Sequence, residues 1–176
     1  MKTITVIVLM LIFTNQLFTQ PLRKIDTYLS NKAIPSVAKN YYYNKISPKD
    51  NKQTQQIIDS LNTSNNNTRP FYILVVSKML KNADGALGET LGLYCKSFIE
   101  NNPNHLINFF YAPTTQSKKE AIQLWAKIIA QEFEIDCESN ELKCIEQSLQ
   151  YALSKCSAAN KPLLKTIYNG IKKEIK

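Results

Sequence analysis

Glycine is scarce in this chain: there are four in 176 residues. A sandwich or barrel of short strands draws on glycine for many of its turns, so the scarcity points to helices. Apolar residues recur at helical spacing along most of the sequence, punctuated by proline and asparagine. Leu22, Ile25, Tyr28 and Leu29 form one such stripe before Pro35, and Val37, Ala38, Tyr41 and Tyr42 form another. Ser47-Pro48 with Asp50 reads as the start of a helix ending in Ile57, Ile58 and Leu61. Phe71 to Val76 has a composition that suits a buried strand or a buried helix. Pro70 in a first-turn position and the continuation through Met79 and Leu80 favour the helix.

The second half is more regular. Asp84 reads as the cap of a helix bearing Leu87, Leu91, Tyr94, Cys95 and Phe98, and Asn102-Pro103 opens a short helix with Leu106, Phe109 and Phe110. Ser117 to Glu120 matches a capping box, in which Ser accepts from the N3 amide and Glu reaches back. It introduces the clearest amphipathic stripe, Ala121, Leu124, Trp125, Ile128 and Ile129. Ser139 is expected to cap the next helix, and Asn160 with Pro162 to begin the last. The expected fold is all-α: a single compact multi-helix domain of about six to eight helices, as helical hairpins or a short right-handed array, stapled by two disulfides.

The first nineteen residues read as an export signal, with Lys2, then the apolar run Ile4 to Phe13, then polar Thr14, Asn15 and Gln16. The run falls short of the roughly 20 residues that span a bilayer. Cleavage is expected after Thr19, because a cut after Gln20 would place Pro21 just past the bond. The expected organisation is 1–19 signal, 20–69 an N-terminal helical segment with a polar Asn-rich loop, and 70–176 the main core, packed with 20–69 as one domain. Asn62 and Asn66 both lie in Asn-x-Ser/Thr sequons. Secretion to the exterior or the periplasm is the expected destination.

Export changes how the cysteines read, since oxidising compartments favour disulfides. Cys144 and Cys156 lie twelve residues apart on one predicted helix, roughly 18 Å at about 1.5 Å per residue. A disulfide needs Cα atoms about 4.4–6.8 Å apart, so these two cannot pair. Cys137–Cys144 across a short turn, with Cys95–Cys156, is the expected framework. Without a Cys-x-x-Cys, and with His105 the sole histidine, neither a metal centre nor a redox pair is expected.

The formal charge is +8, or 8 − 1 = +7 once Lys2 is removed, and 20 of the 22 cations are Lys. Arginine is the residue favoured for bidentate phosphate and base recognition, so nucleic acid is not an expected partner. Weak contact with anionic membrane surfaces is compatible with the Lys-rich tail. No Gly-x-Ser-x-Gly elbow or Gly-rich phosphate loop occurs. Glu132 with Glu134, or Glu138 with Glu141, are the carboxylate pairs a glycosidase would need, but the second pair suits helix capping better. No catalytic residue and no cofactor is expected.

Two features suggest a contact surface. Tyr41, Tyr42 and Tyr43 are consecutive, so on a helix their rings point about 100° apart and cannot all enter one core. Gly88 and Gly92 lie on one face with Cys95, although each helical glycine costs roughly 0.5–1 kcal/mol against alanine. That face suits close helix packing or a groove for a ligand. The leading expectation is an exported, non-enzymatic binding protein for a protein or other extracytoplasmic ligand. The alternatives are a small secreted or periplasmic hydrolase using paired carboxylates and a membrane-surface protein.

Overall fold

Proline and asparagine set most of the helix starts. The computed structural model describes residues 24–62, 65–83, 85–112, 118–137 and 139–175. The export segment, the cap at Asp84, Ser117 of the capping box and Glu138 lie outside these residues. Pro35 separates α1 (Ile25–Leu29) from α2 (Ser36–Tyr42). α3 (Lys52–Asp59) begins beyond the expected Ser47-Pro48 and Asp50, because Asn51 is its cap and accepts the Thr54 amide at 2.9 Å. Pro70 lies in the first turn of α4 (Arg69–Met79). α5 spans Gly85–Asn101, and Asn102-Pro103 opens α6 (Pro103–Tyr111) as expected. α7 (Lys118–Asp136), α8 (Glu141–Lys155) and α9 (Lys161–Glu174) complete the chain.

The described residues are all-helical, with nine α-helices in one compact arrangement and no strand. That exceeds the expected six to eight, and each apolar stripe of the sequence forms a helix of its own, the short α1 and α2 included. Ser139 does not cap α8. It sits at φ +76° in the reversal, and Asn140 takes the cap position.

The ambiguous run Phe71–Val76 is a helix packed on many sides. α2, α3, α6 and α7 all touch α4, and Phe71, Ile73, Val75 and Val76 are buried. A helix enclosed this way needs no polar face, which is why its sequence lacks amphipathic period. Trp125 of α7 seats against Phe98 and Phe110, with ring centroids 6.1 and 5.9 Å away. Its indole Nε1 donates to Ser77 Oγ at 2.8 Å, and Ser77 Oγ donates to the Ile73 carbonyl at 2.7 Å. The only polar atom of that ring is thereby satisfied inside the core, as a buried N–H requires.

α5 and α7 run side by side in the same direction and make the broadest helix contact in the molecule. Lys81–Glu120 at 2.9 Å marks one end and Lys96–Asp136 at 2.8 Å the other. α9 lies against α7, with Gly170 facing Ala126. It also lies against α8, where Lys172 pairs with Glu146 at 2.8 Å.

Candidate ligand cleft

Where α8 crosses the end of α5, the helices part around a cleft of about 460 Å³. α5 contributes Lys96 and Glu100, one turn apart. The end of α7 contributes Phe133, Asp136 and Cys137. α8 contributes Cys144, Gln147, Ser148 and Tyr151, which share one face at i, i+3, i+4 and i+7. The cleft is a shallow depression widely open to solvent, not an enclosed pocket.

One wall is the expected Cys137–Cys144 disulfide, with Cα atoms 6.4 Å apart. It closes the α7–α8 reversal, so the cleft has a covalently held corner. The second expected bridge is absent: Cys95 and Cys156 are free and buried. Cys95 is enclosed at mid-helix on α5. The end of α8 instead meets the end of α5, where Tyr151 Oη and Lys155 Nζ donate to Asn101 Oδ1 at 3.2 and 2.6 Å. Cys156 Sγ lies farther on, 3.6 Å from Asn104 Oδ1. Six residues of helix separate Cys95 from Asn101, roughly 9 Å of rise, beyond a disulfide's reach. Burial raises both thiols above their ordinary pKa, which keeps them protonated and unreactive.

The polar groups of the cleft are held from behind. Ser148 Oγ donates to Glu100 Oε1 at 2.7 Å. Its single hydrogen is then committed, so Tyr168 Oη is the donor in the 2.8 Å contact with Ser148 Oγ. Burial, with Glu100 adding to it, pushes the Tyr168 hydroxyl well above the ordinary tyrosine pKa, so it stays a donor at any physiological pH. The relay runs Tyr168 to Ser148 to Glu100 and fixes that carboxylate at the rim. Lys96 Nζ bonds Asp136 Oδ2 at 2.8 Å and lies 5.2 Å from the centre of the Phe133 ring. Glu100 and Asp136 face Lys96 in the lining, and Lys155 Nζ lies 4.0 Å from the centre of the Tyr151 ring, so the formal charges about the cleft are 2 − 2 = 0.

The glycine face is largely a packing seam. A Cβ on Gly92 would lie 2.9 Å from Glu132 Oε2 and 3.3 Å from the Ile128 carbonyl, the close helix packing that is one of the two readings of this face. Gly88 is half-buried, and a Cβ there would come no nearer than 4.0 Å to Ile128 Cδ1. The tyrosines divide as their angles require. Tyr41 is buried with its hydroxyl 2.7 Å from Thr54 Oγ1, Tyr42 packs on Phe71 beneath Lys78, and Tyr43 is 52% exposed. They line no part of the large cleft; Tyr41 borders a separate recess of about 60 Å³.

Of the two conceivable carboxylate pairs, Glu132 with Glu134 does not assemble, and the other includes Glu138, which lies outside the described residues. Glu132 is buried over Gly92 while Glu134 is exposed, because residues two apart on a helix face away from each other. Burial, aided by Asp136, raises the Glu132 carboxyl above its ordinary value, with Lys96 opposing. Glu141 accepts the Ser139 amide at 3.2 Å, a helix-start role. His105 lies in the first turn of α6, its pKa lowered by burial and by nearby Arg69. Among the described residues no three His, Cys, Asp or Glu side chains form a metal-binding group, and no helix is long and apolar enough to cross a membrane.

Sequence reasoning found the cleft's cysteines and missed its remaining residues. The available signal was polar: Lys96 and Glu100 at i, i+4, and Gln147, Ser148 and Tyr151 on the Cys144 face. Apolar stripes locate cores and pass over such positions. No family model, curated protein or solved structure matches this chain, so its functional reading rests on the geometry of the cleft.

Proposed function

We propose that this protein is an exported, non-enzymatic binding protein whose cleft between α5, α7 and α8 receives a basic side chain of a protein or peptide partner. The observation that carries the reading is the pair of carboxylates, Glu100 and Asp136, in the lining of this cleft within a chain of net charge +8. Glu100 Oε1 is oriented by Ser148, and no described residue donates to its Oε2. Phe133 and Tyr151 are rings that already hold cations, Lys96 at 5.2 Å and Lys155 at 4.0 Å from their centres, so an incoming cation would take the place of one of these lysines. The internal ammonium of Lys96, resting on Asp136 over Phe133, occupies the arrangement an incoming ammonium or guanidinium would seek. Ser148 is used in the relay from Tyr168, so the reading assigns it to orientation and not to attack.

The hydrolase alternative draws on Glu100 and Asp136, the two carboxylates of the same cleft. A short Arg-containing peptide and its Gln counterpart, titrated into the full mature chain and followed by backbone amide NMR, test the leading reading. Saturable shifts at Lys96, Glu100 and Tyr151 are expected with the Arg peptide only, weakened by added salt and by Glu100→Gln. Equal response to the Gln peptide, or none to either, would overturn it. Glycoside turnover that Glu100→Gln abolishes would establish the alternative instead.

A further inference from the structure

The loop between α3 and α4 carries a modification signal that the cleft does not use. We propose that Asn66 accepts an N-linked glycan, an inference that rests on the export reading. Asn66-Asn67-Thr68 has the required hydroxyl two residues on and no proline between. The three residues form the turn that leads into α4, and Asn66 is exposed.

The folded geometry decides which end of the Asn66 amide faces out. Arg69 Nη1 donates to Asn66 Oδ1 at 2.9 Å. A guanidinium has donors only, so the amide must turn its oxygen towards Arg69 and its nitrogen away. No described residue accepts from Asn66 Nδ2. The fold therefore tolerates a sugar on Nδ2, because the atom it uses is the oxygen, which glycosylation leaves intact. A glycan on Nδ2 keeps the Asn66–Arg69 bond.

The transfer balances without a redox partner. Asn66 Nδ2 attacks the anomeric carbon of a polyprenyl-diphosphate-linked oligosaccharide. The bond from that carbon to the diphosphate oxygen breaks, and the lipid diphosphate leaves with its electron pair. The proton lost from nitrogen passes to a base of the transferase. Thr68 sets the timing: it is 4% exposed, and its Oγ1 donates to the Asn65 carbonyl at 3.2 Å. The sequon hydroxyl is accessible only before this turn closes, so the acceptor is the emerging chain and not the folded protein.

The test is expression of the full chain in a eukaryotic secretory host, with peptide mapping of the medium before and after amide-cleaving glycosidase. A glycan at Asn66 is expected, with Asn66 converted to Asp by the enzyme. It should be lost in Asn66→Gln and Thr68→Ala and kept in Thr68→Ser and Asn62→Gln. Purified folded protein given the transferase and lipid-linked oligosaccharide should stay unmodified. Secreted protein with an unmodified Asn66, or a glycan at Asn62 only, would overturn the proposal. If the chain stays in the cytosol, the export reading fails; the same mature chain behind a proven export signal then decides Asn66 separately, and an unmodified Asn66 there overturns the acceptor claim.

Discussion

Helix α5 meets the rest of the protein in two contrasting ways within little more than two turns. At Gly92 it lies so close to α7 that a single added carbon would strike Glu132 and the Ile128 carbonyl. At Lys96 and Glu100 the surroundings open into a cleft of about 460 Å³. Residue size explains the change. Glycine allows two backbones to converge, whereas Lys96 spans the widening gap to Asp136 with its long chain, and Glu100 reaches α8 through Ser148. The Cys137–Cys144 bridge closes the α7–α8 corner of the cleft.

The largest effect is expected from breaking the seam. Gly92→Leu should lower stability by about 3 kcal/mol or more in urea denaturation, since overpacking a tight contact forces backbone shifts. Loosening the other end is expected to cost less. Replacing both Cys137 and Cys144 with Ser should cost on the order of 2.5 kcal/mol from restored loop entropy, read as a fall in melting temperature that reductant reproduces in the wild type. Ser148→Ala removes the relay and leaves Tyr168 Oη buried without its acceptor. A loss of about 1–3 kcal/mol is expected, together with weaker peptide binding as Glu100 loses its orientation.

Two smaller changes sharpen the contrast. The Glu132 carboxyl is raised in the fold, so folding favours its protonated form, and stability falls as pH climbs through the ordinary carboxyl range towards the raised value. Glu132→Gln should therefore unfold later than wild type at neutral pH, with the difference shrinking on acidification; a gap constant with pH would refute the assignment. Gly88→Ala has room for its methyl against Ile128 and should gain up to about 1 kcal/mol from helix propensity. The same substitution at Gly92 should gain nothing.

Much of the fold was legible because its rules are local. Asn102-Pro103 and Pro70 mark helix starts that hold, and the Cys137–Cys144 pairing follows from a short turn between helices. What the sequence left wrong or open shares one cause. Cys95–Cys156 required knowing where the end of α8 meets α5, and choosing between packing and a groove at Gly92 required knowing what faces it. Both depend on the placement of helices distant in sequence. The cleft was missed for the same reason, since its polar residues acquire meaning only when three helices bring them together.

By itself, the sequence determined that this chain would be helical, where most helices would start, and that Cys144 could not bond Cys156. These follow from turn chemistry, spacing along a single helix and the rise per residue. Only the tertiary structure decided that Gly92 is filled by α7, that two cysteines stay free in the core, and that Glu100, Asp136 and Tyr151 share one cleft. Those outcomes depend on the relative positions of separate helices, which side-chain packing selects among many arrangements compatible with the same local pattern.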